Sequence, residues 1–119
     1  MRYLFFLVLL FCLFTNCSDD TASASATVEG SWELVRATRN NTETSMLDGL
    51  NFHFAPDGKL ETNLMGNEVP GTYEWAEEEI ITEGVKLPLT YSIQELTDST
   101  LHLRSSYQGF QFDFLLARP

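Results

Sequence analysis

Cysteine is absent from residues 18–119 of this 119-residue chain, so no disulfide can staple the folded part. Ordinary hydrophobic burial must hold it together, which a domain of about 90 residues can just supply. Basic residues are scarce as well. Past Arg2 there are six against seventeen acidic ones, a net charge near −11 with histidine neutral. That balance repels phosphates, and it argues against nucleic acid and against docking on an anionic membrane through a basic patch. The apolar run at residues 4–13 is too short to span a bilayer as a permanent helix. No later stretch carries a helical period, and no nucleophile sits beside a candidate base. His53 and His102 fall on outward faces by parity and have no cysteine neighbours, and Glu77-Glu78-Glu79 lacks the ligand spacing of a calcium loop. No catalytic residue, metal site or cofactor is expected, and the chain does not read as an enzyme.

What the sequence does contain begins with delivery. Met1-Arg2-Tyr3 followed by the apolar run reads as a secretory signal peptide over residues 1–16. Cys17 stands where a small residue would mark ordinary cleavage, and Ser18-Asp19-Asp20 follows it. In these residues the chain resembles bacterial lipoproteins, whose cysteine is acylated and becomes the mature N-terminus. The acidic residues after it resemble the export signal of surface-exposed lipoproteins. The resemblance implies lipidation at Cys17, an outer-membrane anchor in the cell envelope and surface exposure. Several acyl chains would be a stable anchor, since each buried methylene contributes about 0.8 kcal/mol. Residues 17–28 then read as the lipidated cysteine and a flexible tether of Ser, Asp, Thr and Ala, with a coil span of roughly 18 Å.

From residue 29 to residue 119 the pattern has period two. Trp32 and Leu34 share a face, as do Phe52 and Phe54, Leu60 and Leu64, Tyr73 and Trp75, Tyr91 and Ile93, Leu101 and Leu103, and Phe110, Phe112 and Phe114. Pro56-Asp57-Gly58 supplies a tight turn, because proline presets φ and glycine accepts a positive one. Residues 39–49 are polar and read as a long loop whose large apolar residues are Met46 and Leu47. The count is about eight short strands, all β, spaced as in sandwiches and up-and-down barrels. A closed antiparallel barrel is preferred, because every later connection is short, and it would enclose Trp32, Phe52, Phe54, Tyr73, Trp75, Tyr91, Phe110, Phe112 and Phe114. An open sandwich satisfies the same alternation.

Gly30-x-Trp32, Phe52-x-Phe54-x-x-Asp57-Gly58, Gly71-Thr72-Tyr73-x-Trp75, the turn at residues 96–103 and Leu115-x-x-Arg118 appear in that order. Together they resemble the lipocalin-like domain of small bacterial lipoproteins. The resemblance implies a small up-and-down barrel closed at one end by Trp32 beneath Arg118, a cation–π contact worth about 0.5–2 kcal/mol. The chain is expected to bind a small hydrophobic or amphipathic ligand at the mouth, with Met46 and Leu47 as a lid over Tyr73, Trp75 and Tyr91. The alternative is a non-enzymatic interaction module at the cell surface, its barrel filled by those aromatics and its partner an envelope protein.

Overall fold

The computed structural model describes residues 26–119, so the segment read as a signal peptide, Cys17 and most of the expected tether lie outside the described residues. Nine strands form one sheet: β1 (Gly30–Arg39), β2 (Thr42–Thr44), β3 (Asn51–Phe54), β4 (Lys59–Thr62), β5 (Gly71–Ala76), β6 (Glu79–Glu83), β7 (Thr90–Leu96), β8 (Thr100–Tyr107) and β9 (Phe110–Ala117). Every pairing is antiparallel. β3 to β9 follow in chain order from β1, and β9 returns to β1 over Glu33↔Ala117 to Arg39↔Phe112. Eight strands therefore close into an up-and-down barrel with no free edge, which excludes the open sandwich.

The ninth strand corrects the expectation of an unbroken loop over residues 39–49. Asn40 and Asn41 both take positive φ, 51° and 68°, and turn β1 back so that Arg39 pairs with Thr42 and Ala37 with Thr44. This is a two-residue type I′ turn, which asparagine tolerates better than most residues. Only residues 45–49 remain as loop. At the next hairpin Gly58 (φ 94°) donates its N–H to Ala55 O at 3.0 Å, and Asp57 Oδ1 accepts from Lys59 N at 3.1 Å. The turn chemistry read at Pro56-Asp57-Gly58 is what the chain uses.

The two ends of the barrel differ. At the closed end Trp32 is fully buried, its indole N–H donates to Val28 O at 2.8 Å, and the Arg118 guanidinium lies 3.8 Å from the ring centroid. Arg118 also donates to Glu29 O at 2.8 Å and Thr27 O at 3.0 Å, tying the end of the chain to the approach to β1. Gly30 (φ 112°) is required here, since a Cβ would collide with that guanidinium. Val28, read with the tether, is fully buried, so barrel packing begins before β1. The open end carries the β1–β2 hairpin, residues 45–50, the connection from β4 to β5, the β6–β7 connection and the β8–β9 hairpin.

Between the ends the interior is solid. Phe54 and Phe52 stack at 5.5 Å, Phe52 meets Tyr91 edge-on at 5.8 Å, Tyr91 meets Phe114 at 5.8 Å, and Phe112 follows at 6.3 Å. Each such contact adds about 0.5–1.5 kcal/mol beyond area burial. Leu60, Ile80, Leu101, Leu103 and Leu116 fill the spaces around this ladder of rings.

Two of the nine aromatics expected inside are not enclosed. Trp75 is 38% exposed although its parity points inward, because the last β4–β5 pair is Lys59↔Thr72 and β5 runs on past the wall. Phe110 is 41% exposed at the β8–β9 hairpin, with the Arg39 guanidinium 5.1 Å from its centroid.

Candidate functional site

A concave surface bordered by several apolar side chains lies at the open end. The β4–β5 ladder stops after Leu60↔Gly71, so residues 63–70 swing outward instead of pairing. Leu64–Gly66 makes a single 3-10 turn in which Met65 adopts φ 57°, ψ 29°. A left-handed methionine costs roughly 1–2 kcal/mol, and such strain persists only where neighbours hold it. Here the neighbours are two asparagines. Asn63 accepts from Asn51 N at 2.9 Å and donates to Gly49 O at 3.0 Å, which binds this turn to the loop before β3. Asn67 is buried, donates to Thr62 O at 3.0 Å and Val69 O at 2.8 Å, and accepts from Lys86 N at 2.8 Å.

The two connections enclose an open cleft of about 200 Å³ lined by Met46, Leu47, Leu50, Leu64 and Met65, with Asp48 and Asn63 at its edge. Met46 is 65% exposed and Met65 55%, whereas Leu47 is half-buried and packs onto the core. Val69 is also exposed on the neighbouring wall. Leu47 is thus the stopper and the methionines are the rim.

The residues anticipated as one ligand site separate in space. Met46 and Leu47 are at the mouth as expected. Tyr73 is at the other end: its hydroxyl donates to Ala55 O at 2.7 Å in the β3–β4 turn, and its ring meets Phe54 edge-on at 4.9 Å. Burial there pushes its pKa up, helped by Glu29 and Asp57. Trp75 lies further along β5, beyond that end. Tyr91 is fully buried among Phe52 and Phe114, and burial pushes its pKa up as well. These three support the core or its far end and do not wall the cleft. In their place stand Leu64 and Met65, whose sequence signal was the Met65-Gly66-Asn67 turn.

A second constellation lies on the outer wall. His102 Nε2 and Arg104 Nε each lie 2.9 Å from Asp113 Oδ1, the three being drawn from adjacent strands β8 and β9. Burial alone would raise the Asp113 pKa, but the hydrogen bonds and positive charge from His102 and Arg104 hold it below the usual carboxylate range. The ionised form is therefore favoured in the folded state. Its contribution should be complete above about pH 4, the unfolded aspartate value, and lost as pH falls through the depressed native pKa. The stability difference between the protein and Asp113→Asn is expected to stay constant near neutrality and shrink on acidification. Urea midpoints measured across pH check this, and an undiminished difference at the lowest pH would contradict it.

His53 sits apart from this group on β3, its Nδ1 2.7 Å from Ser31 Oγ. Among the described residues no three of His, Cys, Asp and Glu converge as metal ligands.

Comparison with known proteins agrees with the architecture. The chain is similar in structure to a lipocalin-like protein from Bacteroides uniformis, at a TM-score of 0.52 and 16% identity, covering 77% of this chain and 98% of that one. At that identity the likeness shows the fold. No family model matches the chain. No curated protein matches it either.

Proposed function

We propose that this protein is a non-enzymatic, lipid-anchored module of the cell envelope that contacts a partner protein through the barrel mouth. The observation that carries the reading is the contrast between a filled interior and an exposed apolar rim. Small-molecule pockets usually enclose about 300–1,000 Å³ and bury most of the ligand. The cleft here holds about 200 Å³ and is open, while the barrel axis is occupied by stacked rings. Met46, Met65 and Val69, exposed around a shallow cleft, are the kind of apolar surface that marks an interaction site. Methionine adapts to irregular partner surfaces, which suits this role.

Position supports the same reading. The chain enters the barrel through Val28 and Trp32 at the closed end, so an anchor at Cys17 would leave from the end opposite the mouth. The mouth is then free to face away from the bilayer, as surface exposure on the outer membrane would require. A small hydrophobic or amphipathic ligand is the second reading. It is favoured by the pairing of Leu47 and Leu64 with polar Asp48 and Asn63 in one cleft, where a short apolar group and a polar head could both be met.

Crosslinkers at the mouth separate these readings. Photoreactive groups at Met46 and Met65 are expected to capture one discrete envelope protein in intact cells, and one at Glu95 on the outer wall is not. Equal capture from all three positions, or none, refutes the partner reading. A small molecule retained through native purification and lost in Met65→Glu would transfer the cleft to the second. Labelled palmitate should enter the protein and not its Cys17→Ala variant; label on neither sinks the anchor.

A further inference from the structure

We infer that the outer wall formed by β8, β9 and β1 carries a binding site for a small oxyanion, a phosphate or carboxylate group on a free small molecule. The observation is a local shortage of acid beside two arginines. Outside β1, β8 and β9, strands β3 to β7 and the loops hold most of the acidic residues, among them Glu61, Glu74, Glu79, Glu83 and Glu95. On β1, β8 and β9 the acids are Glu33 and Asp113 against Arg36, Arg39 and Arg104; Asp113 is already engaged by His102 and Arg104, and Glu43 of β2 stands opposite Thr38. The average of −11 conceals this division.

The register brings the site together. Arg104 pairs with Asp113 and Asp113 with Thr38, while His102 pairs with Leu115 and Leu115 with Arg36. A bulge between Leu34 and Arg36 on β1 shifts the parity, so that Arg36 points outward along with Thr38. The side chains border an open depression of about 230 Å³, with Leu115 in its floor and Asn41 at its rim.

The donor inventory sets the ligand class. Arg104 spends its Nε on Asp113, and its two terminal amino groups have no hydrogen bond to another described residue. Arg36 is exposed, and its side chain makes no ion pair or hydrogen bond among the described residues. A guanidinium whose Nε is pinned to a carboxylate has lost much of its rotamer freedom, so less entropy is lost when its free edge meets an anion. Asp113 is thus the positioning residue: it orients Arg104 and His102 from the lining of the depression, its side chain 12% exposed and its charge offset by the two groups it holds. Two guanidiniums opening on one depression match the planar or tetrahedral oxygens of a carboxylate or phosphate through charge-assisted pairs. Neither the filled barrel nor the cleft at Met46 and Met65 takes part, so the site stands or falls independently of the proposed partner surface.

The test is an NMR titration of the intact protein with inorganic phosphate and, separately, glutarate, each against chloride at constant ionic strength. Saturable shifts confined to β1, β8 and β9 are expected with at least one anion. Arg36→Gln and Arg104→Gln should each weaken binding about tenfold, the loss expected of one charge-assisted contact, while Lys86→Gln leaves it unchanged. Saturation by phosphate alone assigns a phosphate ligand, and by glutarate a carboxylate. Arg36 is exposed and unpaired among the described residues, so its variant keeps the fold and gives the decisive comparison. No saturable shift with either anion, shifts spread evenly over the surface, or unchanged affinity in both arginine variants would overturn the site.

Discussion

Trp32→Ala is expected to lower stability by about 3–5 kcal/mol, the range for deleting a fully buried large aromatic. The side chain is fully enclosed, and its removal acts on three things together. The cavity term comes first, because the ring seals the closed end and few neighbours can collapse into its place. Arg118 then loses the face it covers at 3.8 Å. Val28 O loses the indole donor at 2.8 Å, so the buried approach to β1 is left with an unsatisfied carbonyl. For a domain of this size each kcal/mol shifts the melting temperature by roughly 4–8 °C, so the drop should exceed about 12 °C. Trp32→Phe is expected to recover much of the packing and none of the hydrogen bond. Circular dichroism melts of the three proteins check the order, and an unchanged melt in Trp32→Ala would remove Trp32 from the closed end.

Phe52→Ala is expected to cost a similar 3–5 kcal/mol and to convert the filled barrel into a hollow one. Phe52 is 1% exposed and is held between the stacked Phe54 and the edge of Tyr91. Rings and aliphatic side chains make up most of the lining of the space it would vacate, and the neighbouring Thr62 hydroxyl is already committed to Asn51 O at 2.7 Å, so the void should stay dry and accept an apolar guest of about benzene size. Benzene should therefore raise the melting temperature of the variant and leave the parent unmoved. A parent that responds as strongly would mean that its interior is already open, and the reading based on a filled barrel would fail with it. The experiment also measures how far a barrel of this size is from carrying a ligand.

The division between core and mouth explains why the candidate site was only half legible. Period-two alternation assigns a side chain to the inner or outer face, and it did so for Trp32, Phe52, Phe54, Tyr91 and Phe114. It carries no information on height along the barrel axis. Tyr73 and Trp75 have the inward parity of a wall residue, but β5 descends past the start of β4, which puts them at the end opposite Met46 and Leu47. The cleft took its other wall from Leu64 and Met65, in a connection whose outward swing follows from a ladder only two pairs long.

By itself the sequence determined the all-β class, the hairpin at Pro56-Asp57-Gly58, the meander of short strands and the aromatic character of the interior. These are local properties, set by alternation and turn chemistry that any few adjacent residues display. The pairing of Trp32 with Arg118 came from a family resemblance, and the fold brings the two into contact across 86 positions of chain. Only the tertiary structure decided the extra strand at Thr42–Thr44, the end of the barrel at which each aromatic lies, and the placing of Arg36, Arg104 and Asp113 around one depression. Each depends on register between strands distant in sequence. A shift of one residue there would reverse every face, and the register is set by closure of the whole barrel.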